Sequence, residues 1–473
     1  MKRRNPPHRF GFMFQVSLRS VSNASVCRVV CALSLVLSPA CVAEGKLKME
    51  TVEVDAPFEM PAITIPDFSD CPRFSIIDLG ARPDDLEATS AAIAGAIGKG
   101  HAAKGGVVVI PAGEWPTKAI HFKSHVNLHL EDGATLLFSG NPEHYLPAVK
   151  SSWEGMECYN YSPLIYAYEC VNIAITGGGT LRAKMDVWHE WEGRPEPHME
   201  ALKRLYHMMS KGVPVEERRM TGDDANLRPQ FIQFNRCENV LLEGVRIRNS
   251  PFWTIHPLLS KNIVIRRIDV HAHGHNNDGV DPEMSQNMLI EDSVFDQGDD
   301  AIAVKAGRNH DGWRLNTPSK NIVLRGCTIR NAHQLMAIGS ELSGGVENVL
   351  VEDCKLEKSV GHLLFIKTNE RRGGYVRNIH MRNITAGDIR RGVLGIETDV
   401  LYQWRDLVPT IEVRLTPISE VHLADIKAGN VKFVSRIQGQ PDMPVRNISM
   451  SGISVGEVKD GDYLNQNVEG FSP

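Results

Sequence analysis

The chain has 473 residues, of which 42% are hydrophobic and 23% are charged, and its formal net charge is −5. This composition excludes a disordered tail, a disulfide-dense miniprotein and a polytopic membrane protein, because the chain is neither strongly charged nor rich in long apolar runs. Its length predicts two or three domains unless the chain is a solenoid.

The first residues have the pattern of a secretory leader. They carry six basic side chains and no acid before Glu44, and an apolar run occupies residues 29–37. That run is much shorter than the roughly 20 residues that a bilayer needs, so a signal peptide over 1–43, cleaved after Ala43, is favoured over an anchor. An imperfect lipobox ending at Cys41 gives the alternative of a lipoprotein. We expect an exported protein, periplasmic or secreted, with no membrane contact unless Cys41 is lipidated.

Loss of the leader makes the protein distinctly acidic. Six basic residues and no acids are removed, so the net charge changes from −5 to −11. Nucleic acids are bound by concentrated basic faces, so we expect no nucleic-acid partner. Six cysteines remain, and an oxidising compartment permits disulfides. Four of them lie in apolar repeat segments and are predicted to be small buried thiols: Cys170, Cys237, Cys327 and Cys354.

An N-terminal extension over 44–73 precedes an alanine-rich segment that predicts a helix. This segment runs from Thr89, a good N-cap, to Ile97, and a β-branched run follows it at 107–110. A helix at this place is the expected cap of a solenoid.

From about residue 170 a short pattern returns, in which Asn is followed by alternating apolar residues. Its asparagines are Asn172, Asn239, Asn262, Asn287, Asn321, Asn348, Asn378 and Asn447. From Asn239 to Asn378 the spacings are 23, 25, 34, 27 and 30 residues, which fits one solenoid coil per repeat. The strands have period 2, and neither a leucine-rich repeat nor a propeller fits the pattern.

These repeats predict an all-β, single-domain right-handed parallel β-helix over 74–470, with structural asparagines at its turns. One segment, at about 183–228, breaks the repeat and is predicted to be a long, partly helical insertion. Long insertions on a solenoid usually wall a binding face, although a surface excursion without a role is the alternative.

The densest polar cluster follows the insertion. Asp278 lies 21 residues before Asp299, which is about one coil, so the two should stand on neighbouring rungs with Asp300 beside them. Like charges this close raise at least one pKa, which keeps a carboxylic acid protonated beside ionised neighbours.

Three alternating histidines precede these aspartates. His271, His273 and His275 would place three imidazoles on one strand face, which raises the hypothesis of a metal site. We predict no metal and no cofactor, because the nearby carboxylates are better explained as acid–base groups and no second cluster of metal ligands follows. His275, the nearest to Asp278, is a candidate for substrate contact.

Four motifs occur in an order that resembles glycoside hydrolase family 28, the polygalacturonases and related exo-acting pectinases. They are Asn276-Asn277-Asp278-Gly279, Gly298-Asp299-Asp300-Ala301, the segment around His333, and Phe365-Ile366-Lys367-Thr368. The resemblance covers about residues 74–455 and implies an inverting hydrolase acting on pectic polysaccharide or oligosaccharide.

By this resemblance Asp299 would be the general acid, and Asp278 with Asp300 would activate the attacking water. His333 would set the protonation of the acid. Lys367 would bind the substrate carboxylate, with Asn276 and, less well matched, Tyr402 also in the substrate site.

Two departures from the family pattern concern the substrate. The family Gly-His-Gly is here Ala332-His333-Gln334, and its Arg-Ile-Lys is Phe365-Ile366-Lys367. The lost guanidinium removes a bidentate carboxylate partner that lysine does not imitate. Four cations near the expected cleft in sequence are candidates to replace it: Lys305, Arg308, Arg371 and Arg372. Alternatively, the sugar at that subsite is not an ordinary galacturonate.

The sequence therefore predicts a monomeric hydrolase that removes α-linked galacturonic acid or a related sugar from pectic chains, with exo action favoured. Two alternatives stay open. One is a Ca²⁺-dependent β-helix pectate lyase, and the other is a glycan-binding solenoid without catalytic activity.

Overall fold

The computed structural model describes residues 47–400 and 412–473. The predicted signal peptide, Cys41 and Tyr402 lie outside these ranges. Within them, no helix combines the length and the apolar character needed to cross a bilayer.

Most strands belong to parallel coils that stack along three faces of a right-handed β-helix, which confirms the predicted fold. The first face contains Arg73–Ser75, Gly106–Ile110, Val126–Leu130, Val171–Gly177, Glu238–Glu243, Lys261–Arg266, Gln286–Glu291, Ser319–Arg325, Val346–Glu352, Val376–Thr385, Ile418–Lys427, Val445–Ser454 and Val468–Ser472. The second contains Gly113–Thr117, Ala134–Phe138, Thr180–Ala183, Arg246–Arg248, Asp269–Ala272, Val294–Gln297, Thr328–Asn331 and Lys355–Leu356. The third contains Ile120–His121, Ile165–Tyr168, Ile232–Asn235, Ile255–Leu258, Ile302–Val304, Gln334–Gly339, His362–Lys367, Gly392–Glu397, Phe433–Gln438 and Tyr463–Gln466.

The repeated asparagines form a ladder at one turn of the coils. Each has a left-handed backbone, with φ between 54° and 58°, which asparagine tolerates better than most residues. The side-chain amide of Asn321 donates to Asn287 (3.0 Å) and its carbonyl accepts from Asn348 (2.8 Å). The prediction that these asparagines are structural is therefore confirmed for this turn.

The capping helix α1 spans Leu86–Ala102 and begins earlier than predicted. Asp85 is the N-cap, because its carboxylate accepts the Ala88 N–H at 2.9 Å. Thr89 is instead buried in the first turn, where its hydroxyl donates to the Arg82 carbonyl (2.6 Å). The apolar face of α1 packs on the first coil, as expected for a cap.

The N-terminal extension packs on the solenoid. Strands Lys48–Val52 and Ile63–Asp67 form an antiparallel hairpin. Ile63 and Ile65 are fully buried against outward-facing apolar residues of the first face, such as Leu241 and Val264. The described part of the extension thus covers an apolar stripe of the coils.

The insertion is partly helical, as predicted, with α2 at Asp186–Glu192 and α3 at Glu196–Ser210. A one-turn helix at Val215–Glu217 and a small sheet of Val149–Trp153, Met156–Asn160 and Arg219–Met220 adjoin it. Together they enclose a second apolar core around Trp153 and Leu205, beside the third face. A further helix, α4, spans Asn309–Leu315.

The six cysteines after residue 43 are all buried free thiols, so the prediction of buried thiols is confirmed for the four cysteines to which it applied.

Candidate active site

The predicted catalytic residues stack on consecutive coils of the third face. The His333 N–H donates to the Asp299 carbonyl (2.8 Å), and the Gly279 N–H donates to the Asp300 carbonyl (3.0 Å). Asp278 and Asp299 thus stand on neighbouring rungs, as expected. The pairing of Val280 with Ile302 puts Asp278 in register with Asp300, so the direct register partner of Asp299 is His333.

These residues line a cavity of about 300 Å³. The predicted residues that it brings together are Asp278, Asp299, Asp300, His333, Lys367, Lys305, His275, Asn276 and Arg308. Arg371 and Arg372 do not line it. It is an open, charged pocket of a size that suits a sugar residue.

His333 and Asp299 form the most exposed ion pair of the site, with Nδ1 and Oδ1 3.0 Å apart. The hydrogen bond to Asp299 raises the pKa of His333, and the charges of all three aspartates add to the effect. Burial opposes ionisation of Asp299, but its bond to His333 and the charges of Lys367 and Lys305 outweigh that effect and lower its pKa. At neutral pH the pair therefore tends toward imidazolium and carboxylate.

The pKa values of the other two carboxyl groups, those of Asp278 and Asp300, are shifted upward instead. Burial and the charge of Asp299 raise the pKa of Asp278 well above its ordinary value. Burial also raises the pKa of Asp300, even though Lys367 donates to its Oδ2 at 3.2 Å. Asp281 lies beside Asp278, and its pKa is raised by burial and by that neighbour. Such a cluster titrates as a unit and retains protons that isolated aspartates would lose.

Lys305 lies beneath the carboxylates. Its Nζ is 3.8 Å from Asp278, 3.5 Å from Asp281 and 3.6 Å from Glu341, and its side chain is only 5% exposed. The ammonium group also lies 4.6 Å from the centre of the Trp253 ring. Lys305 therefore serves as the internal counter-ion of the site.

The three arginines proposed to replace the missing guanidinium are also buried. Arg308 pairs with Glu154 at 3.0 Å and with Glu341. Arg372 donates to the Asn309 side chain of α4 at 2.8 Å, and Arg371 lies in the same turn, away from the cavity. These interactions direct the guanidinium groups of Arg308 and Arg372 toward internal partners.

The loop before Asp278 is fixed from inside by Arg228. This residue is fully buried, and it donates to the carbonyls of Pro251 (2.8 Å) and His275 (2.7 Å) and to the Asn276 side chain (3.2 Å). Burial and the charges of Arg194 and Arg228 lower the pKa of His275 to about 4, so its imidazole is neutral at ordinary pH. His275 and Asn276 reach the cavity from this fixed loop.

The other two histidines of the alternating set do not share this position, because the strand Asp269–Ala272 ends before His273. His271 and His273 both bond to Asp296, at 3.1 and 2.7 Å. The prediction of three imidazoles on one strand face is therefore wrong. The ligand atoms of these two exposed histidines and of the partly buried Asp296 lie within 4.8 Å of one another, close enough to share a cation.

Phe365, which stands where the resemblance leads us to expect an arginine, makes one cavity wall apolar. Its ring stacks on His362, with centroids 4.6 Å apart, and it is 7% exposed. In register with it, Gly395 leaves the space that the ring needs, since a Cβ there would lie 2.9 Å from the Phe365 ring.

Several lining residues were not predicted from the sequence. Glu154, Trp253 and Glu341 reach the cavity, as does Arg194, which stands between α2 and α3 in the insertion. The insertion does not follow the repeat, so the register of the coils could not have predicted Arg194.

Comparison with known proteins agrees with this architecture. The chain is 27% identical over 419 residues to a probable polygalacturonase of Vitis vinifera, which covers 84% of this chain and 78% of the relative. It is 29% identical over 341 residues to an exo-poly-alpha-D-galacturonosidase of Dickeya chrysanthemi, covering 65% of this chain and 54% of the relative.

Among solved structures, a hyperthermoactive exopolygalacturonase from Thermotoga maritima superposes with a TM-score of 0.78 at 37% identity, covering 87% of this chain and 94% of that one. The model of the glycosyl hydrolases family 28 matches residues 216–469, which include the motifs of the cavity. The chain is therefore a pectin-degrading hydrolase that belongs to glycoside hydrolase family 28.

Proposed function

We propose that this hydrolase is exo-acting and removes galacturonic acid from the ends of pectic chains or oligosaccharides, with inversion at the anomeric carbon. The observation that carries the proposal is the meeting of Asp278, Asp299 and Asp300 with His333 in one cavity. Inverting hydrolysis requires one carboxyl group that acts as an acid and a second that acts as a base, and this cluster contains carboxyl groups for both roles.

Asp299 donates the proton to the glycosidic oxygen in this mechanism. Its lowered pKa would leave it ionised at rest, so its proton must come from a partner. His333 is that partner, since its raised pKa keeps a proton on Nδ1, 3.0 Å from Asp299 Oδ1. The negative charge of an acidic sugar raises the pKa values of both groups, so the shared proton is retained in the site, from which Asp299 passes it to the glycosidic oxygen.

Asp278 and Asp300 activate the attacking water. This role requires at least one of them to be ionised against the effect of burial, and the charges of Lys305 and Lys367 favour that ionised form. The two aspartates occupy register positions on adjacent coils, which supports a shared role toward one water molecule. Lys367 lowers the cost of ionising Asp300 and lies at the cavity surface, where it also meets the substrate carboxylate. His275 and Asn276 contact the sugar from the opposite loop.

Exo action is supported by two observations. The insertion contributes a lining residue, so the site is a pocket with an added wall and differs from a groove built by the coils alone. The relatives from Dickeya chrysanthemi and Thermotoga maritima are both named as exo-acting. The basic and apolar leader supports export to the periplasm or the medium, with lipidation at Cys41 as the alternative, and we propose that the protein acts as a monomer.

Digestion of homogalacturonan tests the action pattern. An exo-hydrolase releases reducing ends and monomer while viscosity falls slowly. A rapid fall in viscosity at low conversion would identify endo action. An unsaturated product that absorbs in the ultraviolet and is lost in chelator would identify a lyase.

A further inference from the structure

We infer that Asp281 carries a proton that its carboxyl group donates in a hydrogen bond to Asp278, which keeps Asp278 ionised as the base that accepts a proton from the attacking water. Asp281 is then a positioning residue of the active site. This inference rests on the proposed function, because it concerns the base of the same reaction. It gives a physical reason why a buried carboxyl group serves as that base.

The backbone of one short loop brings the two carboxyl groups together. Asp281 follows Asp278 by three residues, and their carboxyl groups lie within hydrogen-bonding reach of each other. The Asp281 N–H donates to the Ile255 carbonyl (2.8 Å), and the Gly279 N–H donates to the Asp300 carbonyl (3.0 Å). A Cβ at Gly279 would collide with the backbone of the next coil. The loop is therefore fixed to both neighbouring coils, and the pair is held in place.

The two groups differ in their access to the cavity. Asp278 lines it, whereas Asp281 is fully buried and does not reach it. As carboxylates, both oxygens of Asp281 and Oδ1 of Asp278 would meet no hydrogen-bond donor within the part of the chain that the structure describes. Buried polar atoms without partners are costly, and a protonated carboxyl group is itself a donor. One proton between the two groups therefore satisfies an oxygen on each side.

The charges around the pair also require a proton. Nζ of Lys305 lies 3.8 Å from Asp278 and 3.5 Å from Asp281, with Glu341 as a third carboxyl group at 3.6 Å. Burial opposes ionisation of Glu341, but the charges of Arg308 and Lys305 outweigh that effect and lower its pKa. The same ammonium group thus faces two further carboxyl groups. A second buried anion at this place is strongly disfavoured.

Burial decides which group of the pair keeps the proton. Burial and the charge of Asp278 raise the pKa of Asp281, and the hydrogen bond between them raises it further. Asp278 then faces a hydrogen-bond donor and the ammonium group of Lys305, both of which favour its ionised form. The other titratable groups that act on the pair or lie on its flanking coils are Asp299, Asp300, Lys367 and His256 with its partner Glu283.

Two variants distinguish a proton donor from a residue that only fills space. Asp281→Asn keeps the shape, and its uncharged amide donates a hydrogen bond to Asp278. Asp281→Leu has a similar size but neither charge nor donor. The matched control is Asp353→Asn, which removes an exposed carboxyl group outside the cavity. Circular dichroism checks the fold of each variant.

The first measurement is the acid limb of kcat/KM on trigalacturonate, which reports the ionisation of the base. In Asp281→Leu the limb should move to higher pH by about one unit, because the ionised form of Asp278 loses a hydrogen bond. In Asp281→Asn, where the amide replaces the donor, and in the control, it should move by less than about half a unit.

Three results of this measurement would overturn the inference. An acid limb that moves to lower pH in both Asp281 variants would show that the substitutions had removed an anion. A limb that stays in place in Asp281→Leu would show that Asp278 receives no hydrogen bond from Asp281. A rise in kcat in Asp281→Asn would show that the proton of the pair resides on Asp278.

A second measurement needs no hydrolysis and uses only the Asn variant. The pH dependence of the free energy of unfolding in urea gives the number of protons released on unfolding. An unfolded aspartate is ionised above its ordinary pKa of about 3.9, so the wild type should release about one proton more than Asp281→Asn. Its stability should therefore fall more steeply than that of the variant as pH rises from there toward the raised pKa of Asp281.

The proton count separates this inference from the proposed function. A difference of one proton would uphold the pair of Asp281 and Asp278 even if the wild type hydrolysed no pectic substrate, an outcome that would reject the proposed function alone. Equal proton release by the wild type and Asp281→Asn would overturn the inference, because it would show that Asp281 is ionised in the folded protein.

Discussion

Nδ1 of His333 lies 3.0 Å from Oδ1 of Asp299, and the two residues occupy the same register position on adjacent coils. The parallel stacking of the third face therefore creates the pair directly, since in-register side chains of neighbouring coils project side by side. Their pKa values move apart, upward for His333 and downward for Asp299. One proton is thus held between an imidazole and the carboxylate of Asp299, to which we assign the role of general acid.

This pair predicts the alkaline limb of the pH profile. The pKa of His333 is raised, so its proton persists above the ordinary histidine pKa of about 6.5 and is lost as pH rises through the raised value. We expect kcat/KM to fall in that interval. In His333→Asn the limb should move toward lower pH by about one unit or more, because the proton is then held by carboxyl groups alone. An alkaline limb that stays in place in the variant would contradict this account.

Asp299→Asn should abolish most turnover, because an amide does not supply the acid proton. Loss of general acid catalysis typically costs about 10²–10⁴-fold in rate. The matched control is Asp296→Asn, which removes a carboxylate bound to His271 and His273 outside the cavity and should leave kcat within threefold. Initial rates on trigalacturonate check both variants. Undiminished turnover in Asp299→Asn would favour a different acid, and glycan binding with no activity in the wild type would favour a non-catalytic solenoid.

Lys305→Met should destabilise the protein strongly. The substitution leaves Asp278, Asp281 and Glu341 buried without their shared cation. Breaking a buried charge network from one side costs about 3–5 kcal/mol. Lys320→Met, which removes a 39%-exposed partner of Glu347, should cost less than about 1 kcal/mol. The free energy of unfolding in urea measures both, and equal effects would show that Lys305 is not the counter-ion of the cluster.

The asparagine ladder predicts a difference between two small substitutions. Asn321→Gly loses the bonds to Asn287 and Asn348 but keeps a residue that favours positive φ, so it should cost about 1–3 kcal/mol. Asn321→Ala loses the same bonds and adds strain at φ 58°, so it should cost about 1–2 kcal/mol more. Urea unfolding of the two variants checks the order. An alanine variant as stable as the glycine variant would contradict the role given to the backbone conformation.

The β-helix was predictable because each coil repeats the same short sequence pattern. Asn followed by alternating apolar residues marks a turn and a strand, and the spacing of Asp278 and Asp299 is close to one coil. The register of these two aspartates was harder to predict from the sequence, since it depends on the length of the turn between them. The pairing of Val280 with Ile302 shows that Asp278 faces Asp300 across the rungs.

Residues outside the repeat were the least predictable. Arg372 follows Lys367 closely in sequence, yet its bond to Asn309 directs it toward α4. Arg194 is far from the motifs in sequence, yet the buried tryptophans of α2 bring it to the cavity. Tertiary packing decides both positions, and no periodic pattern in the local sequence predicts them.

The central claim is inverting exo-hydrolysis of an acidic sugar chain, and the most direct test is time-resolved NMR of trigalacturonate digestion. We expect galacturonic acid to appear first as the β-anomer, together with digalacturonate, and the α-anomer to form only by mutarotation. Initial release of the α-anomer, or an unsaturated product in place of the free sugar, would contradict it.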